Sequence, residues 1–372
     1  MNSKQRVANA IARKPTDRVP VFMWFHPETT ERLAKLLEIP ARFVEEVMGN
    51  DVRQKWVGNN YAMEGVVHGR DGERHTDDWG ITWECQYGFN QIVKHPLADA
   101  SEEEILAYEF PHGSIPALLA NMDALAPYQD SHFIGCDVSP CAFELMNRIF
   151  GMERAMLEMA GISQNAPHEA SAIRSFIGKT ADFGVALAEA SCAHCRIDWL
   201  WTGDDVGGQN GMILSPAMWR ETIRPGMRRI IGAGSRHGLP IAYHSCGAIR
   251  PIIPDLIEIG VNILNPIQCD CPGMEAGSLK AEFGKHLTFM GGVDTISLLP
   301  RGSVADVRRA TRKLLDTMTS DGGGFILAAS HTIAPETPPE NIFAMYREAG
   351  IDREMIFDKA ADIRATHGSG IV

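Results

Sequence analysis

The sequence predicts an α/β protein folded as a (β/α)8 barrel, or TIM barrel, and three observations favour this class. Beyond residue 190, short apolar segments end one after another in polar residues; they are RIDWLWTGDD, LPIAYHSCG, VNILNPIQ, LTFMGGVD and GGFILAASH. Strands that are apolar throughout and alternate with helices are typical of a parallel sheet covered on both faces. The first strand-like run, VPVFMWF (residues 19–25), precedes no glycine-rich dinucleotide fingerprint, which disfavours a doubly wound sheet.

Helical segments separate these strands. SPAMWRETIRPGMRRIIGAG begins with Ser215 at the N-cap and Pro216 at the first helical position, and it closes near glycines. GSVADVRRATRKLLDTMTSDGG places Ser303 and Asp306 in capping-box spacing and ends in glycines. IRPIIPDLIEIG predicts a shorter helix broken by prolines. The alternation therefore continues through the second half of the chain.

The pattern changes between about residues 50 and 115. HTDDWGITWECQYGFNQIVKHP alternates aromatic and polar residues, which is typical of antiparallel ribbon. We therefore expect a single TIM-barrel domain over residues 1–372, with an N-terminal insertion at about 50–115 that lies over the barrel.

Composition excludes several classes of function. The chain has 372 residues, 45% of them hydrophobic, and a net charge of −12, which argues against nucleic acid as a partner. It contains no apolar stretch of the roughly 18 residues that a membrane span needs, and its charged N-terminus lacks an apolar signal core. We expect a cytoplasmic protein without membrane contact. Its 8 cysteines are then expected as thiols or metal ligands and not as a disulfide framework.

Polar residues stand at the ends of the predicted strands, where TIM barrels carry their chemistry. They come from five different strand–helix units but would surround one mouth; they are Asp204, Asp205, His244, Cys246, Gln268, Asp294 and His331. This convergence predicts an enzyme. A non-catalytic metal or redox sensor would leave most of these residues unexplained.

His244 and Cys246 form the sharpest motif. Residues two apart on a strand point to the same face, and one imidazole with one thiolate suits zinc. A catalytic zinc needs a third protein ligand, and His331 is our first choice because it follows the last recognisable strand. The alternative is plain packing, since cysteine is among the most buried residue types and histidine is often partly buried.

The aspartates have two interpretations each. Asp204 and Asp205 are adjacent, and either one can serve as an acid or base while the other caps a turn or orients a ligand. Asp294 in GGVDT has the same two interpretations. We expect Asp205 and Asp294 to be the catalytic residues. Trp24, Trp79 and Trp201 either form an aromatic wall for a flat substrate or belong to the core.

Five segments together resemble the uroporphyrinogen decarboxylase superfamily, and more narrowly its corrinoid-dependent methyltransferase branch; they are RVANAIARKPTDRVPVFMW, DDWGITWECQYG, YHSCGAIRPIIPDLIEIGVNILNPIQ, GGVDT and ASHTIAPETPPENI. The resemblance spans nearly the whole chain. It implies a TIM barrel with zinc at its mouth, held by a His-x-Cys pair, here His244 and Cys246, and by a residue after a later strand. Thiol-methylating members have a cysteine in a GCG context there, whereas this sequence has SHT, so His331 occupies that place.

The resemblance implies transfer of a methyl group between a small methylated substrate, a methyl ether or amine, and the cobalt of a corrinoid carried by a separate protein. A methylcobamide:thiol methyltransferase is one alternative. A decarboxylase is another, because decarboxylases have a histidine that His331 matches. Their arginine-rich stretch is nevertheless missing, since MWFHPETTERLAKLL has only Arg32. The sequence leaves open whether the protein forms a homodimer.

Three further motifs are weaker. DSHFIG (residues 130–135) fits the D-x-H-x-x-G pattern of corrinoid-binding proteins, but it follows a helical segment and runs into a strand, which favours a chance match. CAHC (residues 192–195) ends a long helical stretch, where packing cysteines are expected. Cys269, in CDC, and Asp205 are the rivals of His331 for the third ligand position.

Overall fold

Seven parallel strands form the central sheet of the computed structural model, which describes residues 1–58, 70–86, 89–139, 141–163 and 170–368. The strands within these ranges are β1 Val52–Trp56, β2 Arg74–Thr76, β3 Thr82–Gln86, β4 Phe89–Lys94, β5 Phe133–Asp137, β6 Trp199–Gly203, β7 Gly207–Gly208, β8 Gly211–Met212, β9 Ile241–His244, β10 Ile263–Ile267, β11 Thr288–Val293 and β12 Phe325–Ala329. The sheet has the order β1-β5-β6-β9-β10-β11-β12, and each neighbouring pair is parallel.

Helices connect these strands along the described chain. The α-helices are α1 Ser3–Ile11, α2 Pro27–Leu37, α3 Val44–Val47, α4 Glu102–Ala107, α5 Ile115–Leu119, α6 Ala142–Phe150, α7 Met152–Ser163, α8 Ala170–His194, α9 Pro216–Thr222, α10 Arg224–Arg236, α11 Ile253–Glu258, α12 Ala276–Phe283, α13 Leu298–Arg301, α14 Val304–Met318, α15 Pro339–Glu348 and α16 Arg353–His367. Short 3-10 helices cover Ala41–Phe43, His112–Ser114, Ala120–Tyr128 and Arg250–Ile252.

Residues 21–25 close the sheet into a barrel. Val21 and Phe25 form parallel bridges with Leu327 and Ile333, beside β12. On the other side, the Asp51 amide, just before β1, donates to the Val21 carbonyl oxygen at 2.8 Å. The predicted (β/α)8 barrel is therefore confirmed, with this segment in the place of the first strand.

The first strand is irregular because the Asn50 side chain makes hydrogen bonds that a neighbouring strand would otherwise make. The Asn50 side chain accepts from the Met23 amide at 3.1 Å and donates to the Met23 carbonyl oxygen at 2.8 Å. Those two backbone groups are thus satisfied without a neighbouring strand, as buried backbone groups require.

The helix signals read from the sequence are confirmed. Ser215 accepts from the Met218 amide, and Ser303 with Asp306 forms a complete capping box. The predicted helix after Ser215 divides at Ile223 into α9 and α10. Pro225 accounts for the break, because it has no amide hydrogen to continue the preceding helix.

The antiparallel ribbon is present as the three-stranded sheet β2-β3-β4. The predicted start at about residue 50 is too early, since β1 belongs to the barrel sheet. Residues 59–69 and 87–88 of the predicted insertion lie outside the described residues. Trp79 packs here against Phe110 and Phe183, with ring centroids 5.2 and 4.9 Å away, so it belongs to the core.

Two simple properties accompany the fold. None of the helices that the structure describes is both long and apolar enough to span a bilayer. All eight cysteines lie in the described ranges, and none of them is in a disulfide bond there.

Gly135 leaves space for the large side chain of Trp199 inside the barrel. The Trp199 indole fills the interior and donates through Nε1 to Gln54 Oε1 at 2.8 Å. A Cβ on Gly135, which lies on the strand between them, would come within 2.3 Å of Trp199 Nε1 and 2.4 Å of Gln54 Oε1. Gly135 therefore sets the space that this interior layer has.

We predict that Gly135→Ala lowers the free energy of unfolding by about 1–3 kcal/mol, because an added methyl group must displace the indole or its hydrogen bond. Gly178→Ala is the matched control, since a Cβ there meets nothing within 4 Å and the position lies in α8. Urea unfolding followed by circular dichroism measures both. Equal stability of the two variants would contradict this role of Gly135.

Candidate functional site: a His-Cys-Asp cluster at the barrel mouth

The polar residues predicted to surround the mouth do follow the carboxyl ends of barrel strands. Asp204 and Asp205 follow β6, Cys246 follows β9, and His244 is the last residue of β9. The end of β10, the end of β11 and the end of β12 are followed by Gln268, Asp294 and His331. Because all these strands are parallel, their carboxyl ends lie at one end of the barrel.

Three of these side chains meet. Asp205, His244 and Cys246 each offer a ligand atom, and the three atoms lie within 4.8 Å of one another. Asp205 Oδ1 and Cys246 Sγ are each 3.6 Å from His244 Nε2. The side chain of His244 is 18% exposed and that of Asp205 is 39% exposed, so the cluster is reachable from solvent.

The distances between these ligand atoms fit a tetrahedral metal ion better than they fit hydrogen bonds between the side chains. Zinc bonds of about 2.0–2.3 Å hold neighbouring ligand atoms roughly 3.4–3.6 Å apart. The 3.6 Å from His244 Nε2 to Asp205 Oδ1 is too long for a hydrogen bond between nitrogen and oxygen. One nitrogen, one sulfur and one oxygen donor is a set that zinc accepts. The residues present therefore fit a zinc ion.

Asn265 prepares His244 for such a role. Its Oδ1 lies 2.7 Å from His244 Nδ1 and, as an amide oxygen, accepts the hydrogen there. The proton on Nδ1 leaves Nε2, the atom that faces Asp205 and Cys246, with a free lone pair. Metal-bound histidines characteristically donate their second nitrogen to an oxygen in this way.

The Cys246 thiol is desolvated. Burial raises its pKa, and the neighbouring carboxylates of Asp205 and Glu144 raise it further. A bare thiolate is therefore unfavourable here, and a cation is needed to stabilise it. The backbone amide of Cys246 meanwhile donates to Asp205 Oδ1 at 2.8 Å, which fixes the carboxylate beside the thiol.

The two adjacent aspartates have different roles. Asp204 is fully buried and accepts from the amides of Phe143 and Glu144, both at 2.9 Å, at the first turn of α6. It thus caps this helix from a different strand. Asp205 is the member of the pair that reaches the cluster.

Glu144 joins the site through this cap. It accepts from the Asp205 amide at 3.4 Å and pairs with Arg148 at 3.3 Å. Burial raises the pKa of Glu144, and the Asp205 charge adds to the effect despite the opposing influence of Arg148. A carboxyl group that stays protonated more readily than usual therefore stands beside the cluster.

Asp294 is engaged in its own turn. It accepts from the amides of Ile296 and Leu298 at 2.6 and 3.0 Å, and from Ser297. Burial opposes ionisation, but these bonds win and lower the pKa of Asp294. The structure favours a capping role for Asp294 over the predicted catalytic one.

His331 lies outside the three-residue cluster, in which Asp205 stands where His331 was expected. His331 follows β12 at the same end of the barrel, whereas the Asp205 carboxylate is fixed by the Cys246 amide. Desolvation lowers the pKa of His331, and the nearby His244 lowers it further. The charges of the cluster thus influence the pKa of His331, and its neutral form is favoured.

Comparison with known proteins decides the family. The sequence profile of the uroporphyrinogen decarboxylase (URO-D) family matches residues 142–350, which is more than half of the chain. The chain belongs to this family. The matched region contains every residue of the cluster, together with Asn265 and Glu144.

Relatives in this family include two activities. The chain is 24% identical over 265 residues to a methylated-thiol–coenzyme M methyltransferase from Methanosarcina mazei, a match that covers 70% of this chain but 64%, less than two thirds, of that protein. It is 20% identical over 365 residues to a uroporphyrinogen decarboxylase from Magnetococcus marinus, covering 93% of this chain and 96% of that one.

A solved structure extends the comparison to the fold. A methyltransferase from Methanosarcina mazei aligns with a TM-score of 0.61 and 17% identity over 94% of this chain and 98% of that chain. The superfamily named from sequence motifs is confirmed, and a methyltransferase appears among both the sequence relatives and the structural ones, as the predicted branch requires.

Asn265 and Glu144 contact this site but were not among the residues predicted from the sequence. Asn265 interrupts the apolar run VNILNPIQ, and a polar residue inside a buried strand was a usable signal. Glu144 gave no such signal, because CAFELMNR reads as an ordinary amphipathic helix. Gly247 turns the chain at φ +79°, and Gln268 fixes it by accepting from the Gly247 amide at 2.6 Å. Cys269 lies outside the cluster.

We predict that Asp204→Ala lowers the free energy of unfolding by about 1–3 kcal/mol, because it leaves two buried amides without an acceptor. Asp205→Ala, the matched control, should cost less in metal-free protein, since its half-exposed carboxylate accepts one backbone amide. Denaturant unfolding of both variants in the presence of a chelator tests the difference. A larger loss for Asp205→Ala would refute the division of roles.

Proposed function

We propose that this protein is a zinc-dependent methyltransferase that moves a methyl group between a small methylated substrate, a methyl ether or amine, and the cobalt of a separate corrinoid protein. The observation that carries the proposal is the Asp205–His244–Cys246 cluster at the mouth of a URO-D barrel. Similarity to a methyltransferase supports the reaction class.

In this proposal His244, Cys246 and Asp205 hold the zinc ion, and His331 faces it from the rim. When bound, zinc supplies Lewis acidity towards the substrate's leaving group. Asn265 keeps His244 in the tautomer that can bind metal, and the Cys246 amide orients Asp205. These contacts fix the cluster before substrate arrives.

Glu144 acts as the acid in this scheme. Its raised pKa keeps a proton available beside Asp205, where the leaving oxygen or nitrogen gains electron density. Asp204 places Glu144 there by capping the first turn of α6. Acid and metal ligands thus come from neighbouring strand–helix units and act on the same leaving atom.

The methyl acceptor belongs to a partner. A corrinoid protein would approach the open end of the barrel, because the strand ends that carry the cluster face that side. The methyl carbon loses its bond to the leaving atom and gains one to cobalt(I), which supplies the electron pair. The leaving atom keeps the old bonding pair and takes a proton.

We predict one zinc ion per chain in protein purified from zinc-replete medium. Cys246→Ser should lose most of it, because a hydroxyl replaces a soft thiolate. Asn265→Ala should weaken zinc binding about 10–100-fold through loss of the bond to His244. Metal analysis and chelator competition measure both effects.

The third ligand is tested by the same measurements. Asp205→Ala should weaken zinc strongly, while His331→Ala should retain it if Asp205 completes the set. The reverse result would restore His331 as the ligand, as the sequence resemblance implies. Full zinc occupancy in Cys246→Ser would refute the assignment of the zinc ligands to this cluster.

We predict that the wild-type protein methylates cobalt(I) corrinoid protein from a methyl ether or amine, followed by the change in the cobalt absorption spectrum. Methylcobalt with a free thiol is the control for the opposite direction. If only the thiol reaction proceeds, the protein is a methylcobamide:thiol methyltransferase.

A decarboxylase is the second candidate, because uroporphyrinogen decarboxylases are also among the relatives. Arg32, the only arginine shortly after the first strand, is exposed and donates to the Pro335 carbonyl oxygen. Cationic side chains to grip a polycarboxylate are thus scarce in this stretch. Formation of coproporphyrinogen from uroporphyrinogen at enzymatic turnover would favour this candidate over methyl transfer.

A further inference from the structure

Three tryptophans form a continuous aromatic surface inside the mouth. The ring of Trp24 lies 5.9 Å from that of Trp56 and 5.5 Å from that of Trp201, measured between centroids. We call Trp24, Trp56 and Trp201 the tryptophan wall. Trp201 is buried, whereas Trp24 and Trp56 are only partly buried. Part of the wall's aromatic surface is therefore accessible.

The wall adjoins the metal cluster directly. The His244 ring lies 5.9 Å from Trp24 and 6.0 Å from Trp201 between centroids. His244 Nε2 in turn faces Asp205 and Cys246. A molecule bound at the cluster therefore has indole rings beside it and not only polar groups.

This arrangement suits a substrate with an aromatic ring attached to the reacting oxygen. In an aryl methyl ether the oxygen is bonded directly to the ring, so an oxygen held at the cluster brings the ring next to the wall. Indole and arene then stack in offset or edge-to-face contact, which aromatic pairs prefer. A substrate without a ring would leave the wall's exposed part in water.

Charge limits the choice further. Asp137 pairs in register with both Trp56 and Trp201, so its carboxyl group shares their face of the sheet. Asp205 Oδ1 lies 3.6 Å from His244 Nε2, so a second carboxyl group is close to the same imidazole. These carboxyl groups oppose an arene that carries its own carboxylate.

We infer that the methyl donor is a neutral aryl methyl ether whose ring lies against the tryptophan wall. This inference rests on the proposed methyl transfer and names its substrate class. The bond between methyl carbon and ether oxygen breaks, and the carbon bonds to cobalt(I) of the corrinoid protein. The phenolate keeps the bonding electron pair and accepts a proton, so the products are a phenol and methylated corrinoid.

Calorimetric titration of the zinc-loaded wild type, without any corrinoid protein, tests recognition separately from chemistry. The dissociation constant of 2-methoxyphenol should be at least about tenfold below those of methanol, tetramethylammonium and 4-methoxybenzoate, given the usual strength of aromatic contacts. Equal or tighter binding of tetramethylammonium would point to methylated ammonium donors and overturn the inference. Equal binding of 4-methoxybenzoate would overturn the charge argument.

Variants locate the binding surface. Trp24→Leu should weaken 2-methoxyphenol about tenfold, and Trp24→Phe should weaken it less, because a ring remains. Trp79→Phe is the control, since Trp79 packs against Phe110 and Phe183. Unchanged affinity in Trp24→Leu with a native circular dichroism spectrum would refute the role of the wall. Should Trp24→Leu fail to fold, Trp24→Phe against Trp79→Phe decides.

A second assay separates this inference from the proposed function. Cobalt(I) corrinoid protein is mixed with the enzyme and each of the four compounds, and cobalt methylation is followed. Methylation from methanol or tetramethylammonium but not from 2-methoxyphenol would leave the methyltransferase standing and refute the aryl ether. Binding of 2-methoxyphenol without methylation from any donor would instead refute the methyl transfer.

Discussion

The site depends on the register of three adjacent parallel strands. Gly203 on β6 pairs with His244 on β9, and His244 pairs with Asn265 on β10. This alignment sets Asn265 beside the imidazole and puts Asp205, two residues beyond Gly203, next to Cys246. A slip of one residue would turn the imidazole out of the barrel, because alternate residues face opposite sides. The cluster therefore depends on sheet pairing, which aligns the short segments after β6 and β9 that carry Asp205 and Cys246.

The neighbouring aspartates after β6 show how one strand end serves two purposes. Asp204 turns towards α6 and satisfies the free amides of its first turn, while Asp205 turns into the mouth. The helix held in this way carries Glu144, whose side chain accepts a hydrogen bond from the Asp205 amide. Stability and chemistry are linked at this point, since the capping carboxylate also positions an acidic group of the site.

The sequence predicted correctly those strands and helix ends that depend on interactions between residues close together in the chain. The apolar strands β6, β9, β10, β11 and β12 and the caps at Ser215 and Ser303 follow from hydrophobic pattern and side-chain hydrogen bonding. The irregular first strand did not follow, because its irregularity comes from Asn50, a residue distant in sequence.

The same limit applies to the site. His244 and Cys246 were recognisable as a pair from their spacing, whereas Asp205 was only one of three candidates for a third ligand beside them. The Cys246 amide holds the Asp205 carboxylate in the cluster, and this contact between segments that follow two different strands is not visible in residue spacing. Asn265 and Glu144 likewise act through contacts across strands and helices.

The interior layer of Gln54, Gly135 and Trp199 has a consequence for how this barrel can vary. The hydrogen bond from the indole and the missing Cβ at Gly135 depend on each other, so the three positions form one unit of fixed volume. A larger residue at 135 is tolerable only together with a smaller one at 199. Redesign of the barrel interior is therefore freer at Trp24 and Trp56, which are only partly buried.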